Sequence, residues 1–361
     1  MGPARARYAA AAGPGKFSAA ALMIVVTGAA AALLAAVPGA SAATTITVAA
    51  DGSGNYTTVQ AAINAVPAGG ASYVIRIGKG TYHEVINVPA SKPNLTLEGA
   101  TGNAEDVVIA FGNAAWMTGP SGAVLGTEGS ATATIAASNV TVEDITFANT
   151  YNPAAFPAHG YSQAVALNAM GDRMIFSADR FLGLQDTLLA WQPTPSATDR
   201  QLYEHSFLEG NVDFIFGDAD AVFYADSIKL EDRGAAAGGT NGYLTASATD
   251  SGHPYGFLIA SCTISSSAAA STFYLGRPWH PYAGADPQVV VRDTSLPGQI
   301  KSTPWTTMSG FSFSPGRNYE YSNSGPGSGV NSSRPQLTGT QAASYTPHAY
   351  LAGTDGWAPL G

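Results

Sequence analysis

One offset ties two stretches of this 361-residue chain together. Asp179-Arg180-Phe181-Leu182-Gly183-Leu184-Gln185-Asp186 lies over Ser206-Phe207-Leu208-Glu209-Gly210-Asn211-Val212-Asp213 at one constant separation, 27 residues. Each stretch has an inward-type residue, a large apolar residue two later, a Gly, and an Asp three after the Gly. If each is one coil of a stacked β-structure, like sits on like, and strands stack about 4.8 Å apart. Asp186 and Asp213 are then close neighbours. Two adjacent carboxylates do not both ionise cheaply, which is one way to set an acid beside a base or nucleophile.

The remainder of the chain has the same character. Short Val/Ile/Phe-rich runs at 72–77, 94–97, 107–111, 139–147, 174–182, 201–208, 221–230, 256–264 and 288–292 alternate with turn residues. None holds a 3.6-residue stripe over three turns. Asp179/Phe181, Ser206/Leu208, Asp226/Ile228 and Cys262/Ile264 share one pattern, a small or polar residue followed two later by an apolar one. Inexact repeats of about 20 to 36 residues point to a solenoid. An all-β parallel β-helix fits because the repeats stack in register; on periodicity alone a sandwich or barrel remains open. With 41 Gly, 22 Pro and only 11% charged residues, the composition suits many strands and turns. Residues 58–66, with Val59, Ile63 and Val66 in helical spacing, are expected to form a short helix capping the N-terminal end. Residues 341–351 are expected to form a C-terminal helical tail, and 323–333 a loop.

Residues 1–42 read differently. Arg5, Arg7 and Lys16 are basic, no acidic residue precedes Asp51, an apolar run fills 17–37, and Ala40-Ser41-Ala42 makes a small-residue exit. This is the pattern of a secretory signal peptide; the alternative is a retained membrane anchor. No later run is long enough to span a bilayer. Residues 43–361 read as a single catalytic domain, secreted and extracellular, with no membrane association once the leader is removed. Without the leader, 13 Lys+Arg face 25 Asp+Glu, a net charge of −12. Such a surface excludes nucleic acid as a partner. Cys262 is the only cysteine, so no intrachain disulfide forms, and its apolar surroundings predict a buried thiol.

Asp186 and Asp213 could each be an ordinary turn residue after a Gly. The shared offset, and the apolar residues flanking each, favour a partly dry cleft instead. Gln185 adjoins Asp186, and Gln163 begins Gln163-Ala164-Val165-Ala166-Leu167. A Gln amide can donate to a developing oxyanion without neutralising a carboxylate; an internal Gln ladder is the equal alternative. Arg277 could hold a carboxylate ionised, and Trp279 offers a flat face for a sugar ring; taken alone, a surface Arg beside a core Trp explains both.

Five blocks in order carry a resemblance. Gly80-Thr81-Tyr82-His83-Glu84, Gln163-Ala164-Val165-Ala166-Leu167, Gln185-Asp186-Thr187-Leu188, Asp213-Phe214-Ile215-Phe216-Gly217 and Leu275-Gly276-Arg277-Pro278-Trp279 resemble the signature blocks of the pectin methylesterases (pectinesterases). The similarity runs from about Ile46 to the closing Gly356-Trp357. It implies a right-handed parallel β-helix, a monomer, pectin (methyl-esterified homogalacturonan) as substrate, and no metal or organic cofactor. It implies that Asp213 is the nucleophile, Asp186 the general acid/base, and Gln185 the oxyanion donor assisted by Gln163. Arg277 would orient Asp213, and Trp279 and Phe216 would line the sugar cleft. Tyr82 and Glu84 would brace the early coils. Leu189 departs from the aromatic residue common there, and a substrate-contacting Thr or Ser is expected near 130–134, its position not fixed by the motif. No Gly-x-Ser-x-Gly supports a serine esterase, and His83-Glu84 lacks the second His of a zinc hydrolase. A polygalacturonase, a pectate lyase or a non-catalytic wall-binding β-helix are the other readings.

Overall fold

Parallel pairing runs from Thr44 to Tyr321 in the computed structural model, which describes residues 43–361. The proposed leader, 1–42, lies outside the described residues. Strands fall into three sheets: ten strands from Thr44–Val48 to Asn318–Tyr321, seven from Gly80–Tyr82 to Thr263–Ser266, and seven from Ile86–Val88 to Phe273–Gly276. Each full coil visits the first, second and third sheet in turn, as Met174–Ser177, Arg180–Leu182 and Leu188–Ala190 do. This is a parallel β-helix. Its long parallel sheets exclude the sandwich and the up-and-down barrel, which need antiparallel neighbours.

The offset read from the sequence is the register of the coils. Ile175 pairs with Leu202, Phe181 with Leu208 and Leu188 with Ile215, each 27 residues on. The next coil is closed in 20 residues and the one after it in 36. Between the first and second sheets the chain turns through one left-handed residue per coil: Ala178 (φ 56°), His205 (52°), Ala225 (56°) and Ser261 (58°). A single residue in that region makes a sharp corner.

The polar residue after each corner turns inward and satisfies the neighbouring coil. Asp179 Oδ1 accepts from the Ile145 N–H (2.8 Å), Ser206 Oγ from the Asp179 N–H (3.1 Å), and Asp226 Oδ1 from the Ser206 N–H (2.7 Å). Thr294 and Asn323 continue the ladder by accepting from the N–H groups of Cys262 and Thr294. The Cys262 thiol is buried as expected and burial pushes its pKa up.

Asp179 and Asp226 are buried rungs whose second oxygens have no partner among the described residues. Burial pushes both carboxyls well above the usual range. A carboxyl whose folded pKa is raised binds its proton more tightly in the folded state, so stability falls as pH climbs from the unfolded value towards the folded one. Asp226→Asn keeps an acceptor for Ser206 and cannot ionise. It is expected to raise Tm at pH ~8 by roughly 2–4 °C and to change it little at pH ~4. A lower Tm at the alkaline pH would refute the account.

Inside the coils, Phe176, Tyr203 and Phe223 stack one per turn, with ring centroids 4.7 Å apart at both steps. The helix Val59–Ala65 buries Val59, Ala62 and Ile63 at the N-terminal end, as the sequence suggested. Glu84 accepts from the Val59 and Gln60 N–H groups (2.8 and 2.9 Å), and the Tyr82 hydroxyl donates to the Gly78 carbonyl (2.8 Å). A carboxylate at a helix N-terminus is well placed for the helix dipole.

The single C-terminal helix expected over 341–351 is instead two, Gly339–Ala342 and Pro347–Leu351. Pro347 has no N–H to continue the first helix and is pre-set to start the second, where Thr346 caps it. Ala342, Tyr350 and Leu351 cover the outer face of the ten-stranded sheet at Leu202, Val222, Leu258 and Val290. Arg200, only 6% exposed, joins Asp172 to Asp355 and donates to the Leu351 carbonyl, strapping this tail to the coils.

Candidate active site

The turns into the third sheet carry the two aspartates, and their shape follows from the glycine three residues earlier. A Cβ on Gly183 would lie 2.7 Å from Thr187 Oγ1. One on Gly210 would lie 2.3 Å from Phe214 Cβ and 2.8 Å from the Leu184 carbonyl. The two turns nest through the Asn211 N–H to the Leu184 carbonyl (2.8 Å) and the Asp186 N–H to the Val212 carbonyl (3.0 Å). Gly210→Ala should therefore cost about 1–3 kcal/mol by overpacking, read as a lower Tm with activity falling alongside. An unchanged Tm would show that the turn has slack.

Asp186 (φ 63°) and Asp213 (φ 50°) both adopt the left-handed conformation, uncommon for a residue with a Cβ. Asp213 also sits where the strand Val212–Gly217 slips register: Val212 pairs with Tyr243 but Ile215 with Thr245. The bulge sends Phe214 into the core and leaves Asp213 on the outer face. Bulges commonly re-aim side chains in this way.

Arg277 and Trp279 arrive from the next coils. Their N–H groups donate to the carbonyls of Thr245 and Ser247 (3.1 and 2.9 Å), extending the sheet. Residues two apart in such a segment share a face. Arg277 grips Asp213 with Nε to Oδ1 at 2.8 Å and Nη2 to Oδ2 at 2.5 Å, and its guanidinium lies 3.8 Å from the centre of the Tyr243 ring.

One cavity of about 320 Å³ collects these groups. It is lined by Thr127, Gln163, Gln185, Asp186, Asp213, Phe216, Ala246, Arg277, Trp279 and Met308. All seven residues singled out in the sequence are among them. The Gln163 carbonyl accepts from the Ala115 N–H and the Gln185 carbonyl from the Ala164 N–H, which fixes both backbones. The Gln163 amide group has no protein partner among the described residues, and the Gln185 amide faces Asp186.

The electrostatics separate the two acids. Burial raises Asp186 well above the usual carboxylate range; neighbouring Asp213 adds to this, while Arg277 and Gln185 oppose it. Burial also raises Asp213, but the two hydrogen bonds and the charge of Arg277 pull it back. With a bidentate guanidinium on Asp213 and none on Asp186, the proton shared by the pair resides on Asp186 and the negative charge on Asp213. The cavity thus presents an anionic oxygen, a neutral acid and uncharged amide donors.

Three features escaped the sequence. The threonine that lines the cavity is Thr127, on the short helix Gly126–Gly129, three residues before the stretch near which a substrate-contacting Thr or Ser was expected. Ser130 and Thr132 are committed inside: Ser130 Oγ donates to the Thr127 carbonyl (2.6 Å), and Thr132 Oγ1 to the Ala148 carbonyl (3.0 Å). Met308 arrives on a loop with no repeat register. Trp191 packs on Trp279 with ring centroids 5.4 Å apart, and Trp279 lies 5.7 Å from Phe216. Leu189 is buried beneath this cluster. Trp191 follows it by two, so strand alternation was the available signal for an aromatic on that face.

Comparison with known proteins agrees in sequence and fold. A family profile described as Pectinesterase matches residues 45–354. A pectinesterase of Ralstonia solanacearum is 36% identical over 317 residues, 78% of this chain and 79% of that protein. The structure of pectin methylesterase PemA from Erwinia chrysanthemi superposes with a TM-score of 0.76 at 31% identity, covering 87% of this chain and 98% of that one. A pectin methylesterase in complex with a hexasaccharide superposes at 0.75 with 31% identity and the same coverage.

Proposed function

The chain belongs to the pectinesterase family, and from that premise we propose that it hydrolyses the methyl esters of pectin through an aspartate nucleophile. The observation that carries this reading is the Arg277 clamp on Asp213, with a differently polarised acid, Asp186, one coil away in the same cavity.

Asp213, held ionised, attacks the C6 carbonyl carbon of a methyl-esterified galacturonate. The carbonyl π electrons move to oxygen, and the amides of Gln185 and Gln163 donate to that oxyanion. Collapse breaks the bond to the methoxy oxygen, which takes the proton of Asp186 and leaves as methanol. The acyl group remains on Asp213 as an anhydride. Asp186, now ionised, removes a proton from water; the hydroxide attacks the same carbon and Asp213 departs as carboxylate. Protons balance over the cycle. A carboxylate is a weak nucleophile, so orientation and the oxyanion donors supply much of the rate. Trp279 and Phe216 carry the sugar rings.

The protein works as a secreted, extracellular monomer after loss of residues 1–42, with pectin as its partner and neither nucleic acid nor membrane. The leader-like sequence supports export, and the acidic balance supports the exclusion of nucleic acid. The deciding experiment supplies esterified pectin to the purified mature protein and follows methanol, reducing ends and unsaturated products together. Methanol alone is expected. Reducing ends would indicate a glycosidase, unsaturated ends a lyase, and binding without any product a wall-binding role.

A further inference from the structure

Asp218 immediately follows the strand that carries Asp213 and Phe216, and it is fully buried. Its Oδ1 accepts from the Gln192 N–H (3.0 Å), the residue after Trp191. Its Oδ2 lies 3.3 Å from the hydroxyl of Tyr282, three residues beyond Trp279. Asp218 thus touches both segments that bear the paired tryptophans. We propose that Asp218, kept protonated, is a positioning residue that clasps the Trp191 and Trp279 segments together and so holds the sugar-binding face in shape.

The Tyr282 hydroxyl is 2.9 Å from the Ala248 carbonyl as well as 3.3 Å from Asp218 Oδ2. A phenol has one proton and a carbonyl has none. The shorter contact engages the tyrosine proton with Ala248, and a proton on the carboxyl then turns the 3.3 Å contact with Asp218 into a hydrogen bond as well. The chain then reads carboxyl O–H to tyrosine oxygen, tyrosine O–H to carbonyl, every donor matched to one acceptor. Chains of this kind reinforce one another in a dry interior.

The surroundings favour that proton. Burial pushes the Asp218 carboxyl up to about 7, against the hydrogen bond from Gln192. Asp199, on the segment before Arg200–Glu204, feels its charge and is itself pushed up to about 7 by burial and by Asp172, Asp218 and Asp220. Asp220 lies on the following strand, 3.8 Å from His253, which answers its charge. Asp250 and Tyr282 face the cluster from the loops after the strands Gly242–Ser247 and Phe273–Gly276. The nearest fixed charges are therefore mostly negative, and ionising Asp218 removes the carboxyl donor while adding repulsion.

This inference rests on the pectin reading for one of its two readouts. For wild type, KM for esterified pectin should rise roughly threefold to tenfold from pH ~5.5 to pH ~8.5, the equivalent of one lost hydrogen bond. Asp218→Asn presents an amide donor to Tyr282 and a carbonyl to Gln192 at every pH. Its KM should stay flat while its kcat profile matches wild type. An Asp218→Asn profile identical to wild type would overturn the assignment, as would flattening by Asp199→Asn but not by Asp218→Asn. Tryptophan emission needs no substrate: wild type should show a pH-dependent change over the same range, absent from Asp218→Asn and from Trp191→Phe. No change in wild type would overturn the clasp even if the variants fail to fold. Absence of methanol from wild type would sink the functional reading alone and leave the emission titration decisive.

Discussion

Asp213→Asn should lower methanol release by about 10⁴-fold or more, the scale seen when a nucleophile is removed from a site whose members act as a unit. The substitution keeps the shape of the side chain but not its charge, and a neutral amide cannot form the anhydride. The fold should survive, because Asn still offers one acceptor to the Arg277 guanidinium that held both carboxylate oxygens. Asp213→Ala is the harsher change. It leaves a partly buried cation without its bidentate partner, against the Tyr243 ring and with only Asp186 as a nearby carboxyl among the described residues, and losing the partner of a buried charge is costly. Both variants should therefore be inactive, with Ala melting below Asn. Turnover within tenfold of wild type in Asp213→Asn would remove Asp213 from the role of nucleophile.

Asp186→Asn should lower kcat by roughly 10²- to 10⁴-fold, the usual contribution of a general acid. Methoxide is a poor leaving group, and without a proton the tetrahedral intermediate returns to ester. The pH profile gives a sharper test than the rate. Burial, and secondarily Asp213, raise the Asp186 carboxyl well above the usual range, so the active protonated form prevails at low pH and is depleted as pH rises. Wild-type kcat should fall on the alkaline side as Asp186 ionises, and the residual activity of Asp186→Asn should lack that limb. An alkaline limb of the same position in the variant would assign the titration to another group. The clasp at Asp218 acts through KM, so the two effects separate in one data set.

The legibility of this chain follows coil length. The coils carrying Asp186 and Asp213 differ by a fixed 27 residues in all three sheets, so one offset aligned corner, strand and turn together. Neighbouring coils of 20 and 36 residues share the corner pattern at Asp226 and Cys262 but hide the rest in loops of unequal length. Arg277 and Trp279 were identified by their motif, because nothing in local spacing shows that a segment 64 residues downstream reaches Asp213. Thr127 was not singled out for a related reason. It lies on a loop excursion before the strand Ala133–Ile135, where no repeat fixes the register. Residues 341–351 read as one helix because apolar spacing carries across Pro347, whereas a missing N–H does not. Trp191 needed only the alternation rule, applied one step past Leu189.

A stack of coils ordinarily frays like a spring uncoiling from its last turn, each turn answering only to its neighbour. The Arg200 strap changes that topology of failure, because it fastens Asp355, 155 residues further along, to a turn in the middle of the stack. The terminal tail then behaves as a seat belt across the flank of the cylinder. Peeling begins only after a buried guanidinium has let go, and mechanical resistance is shared by turns far apart in the chain.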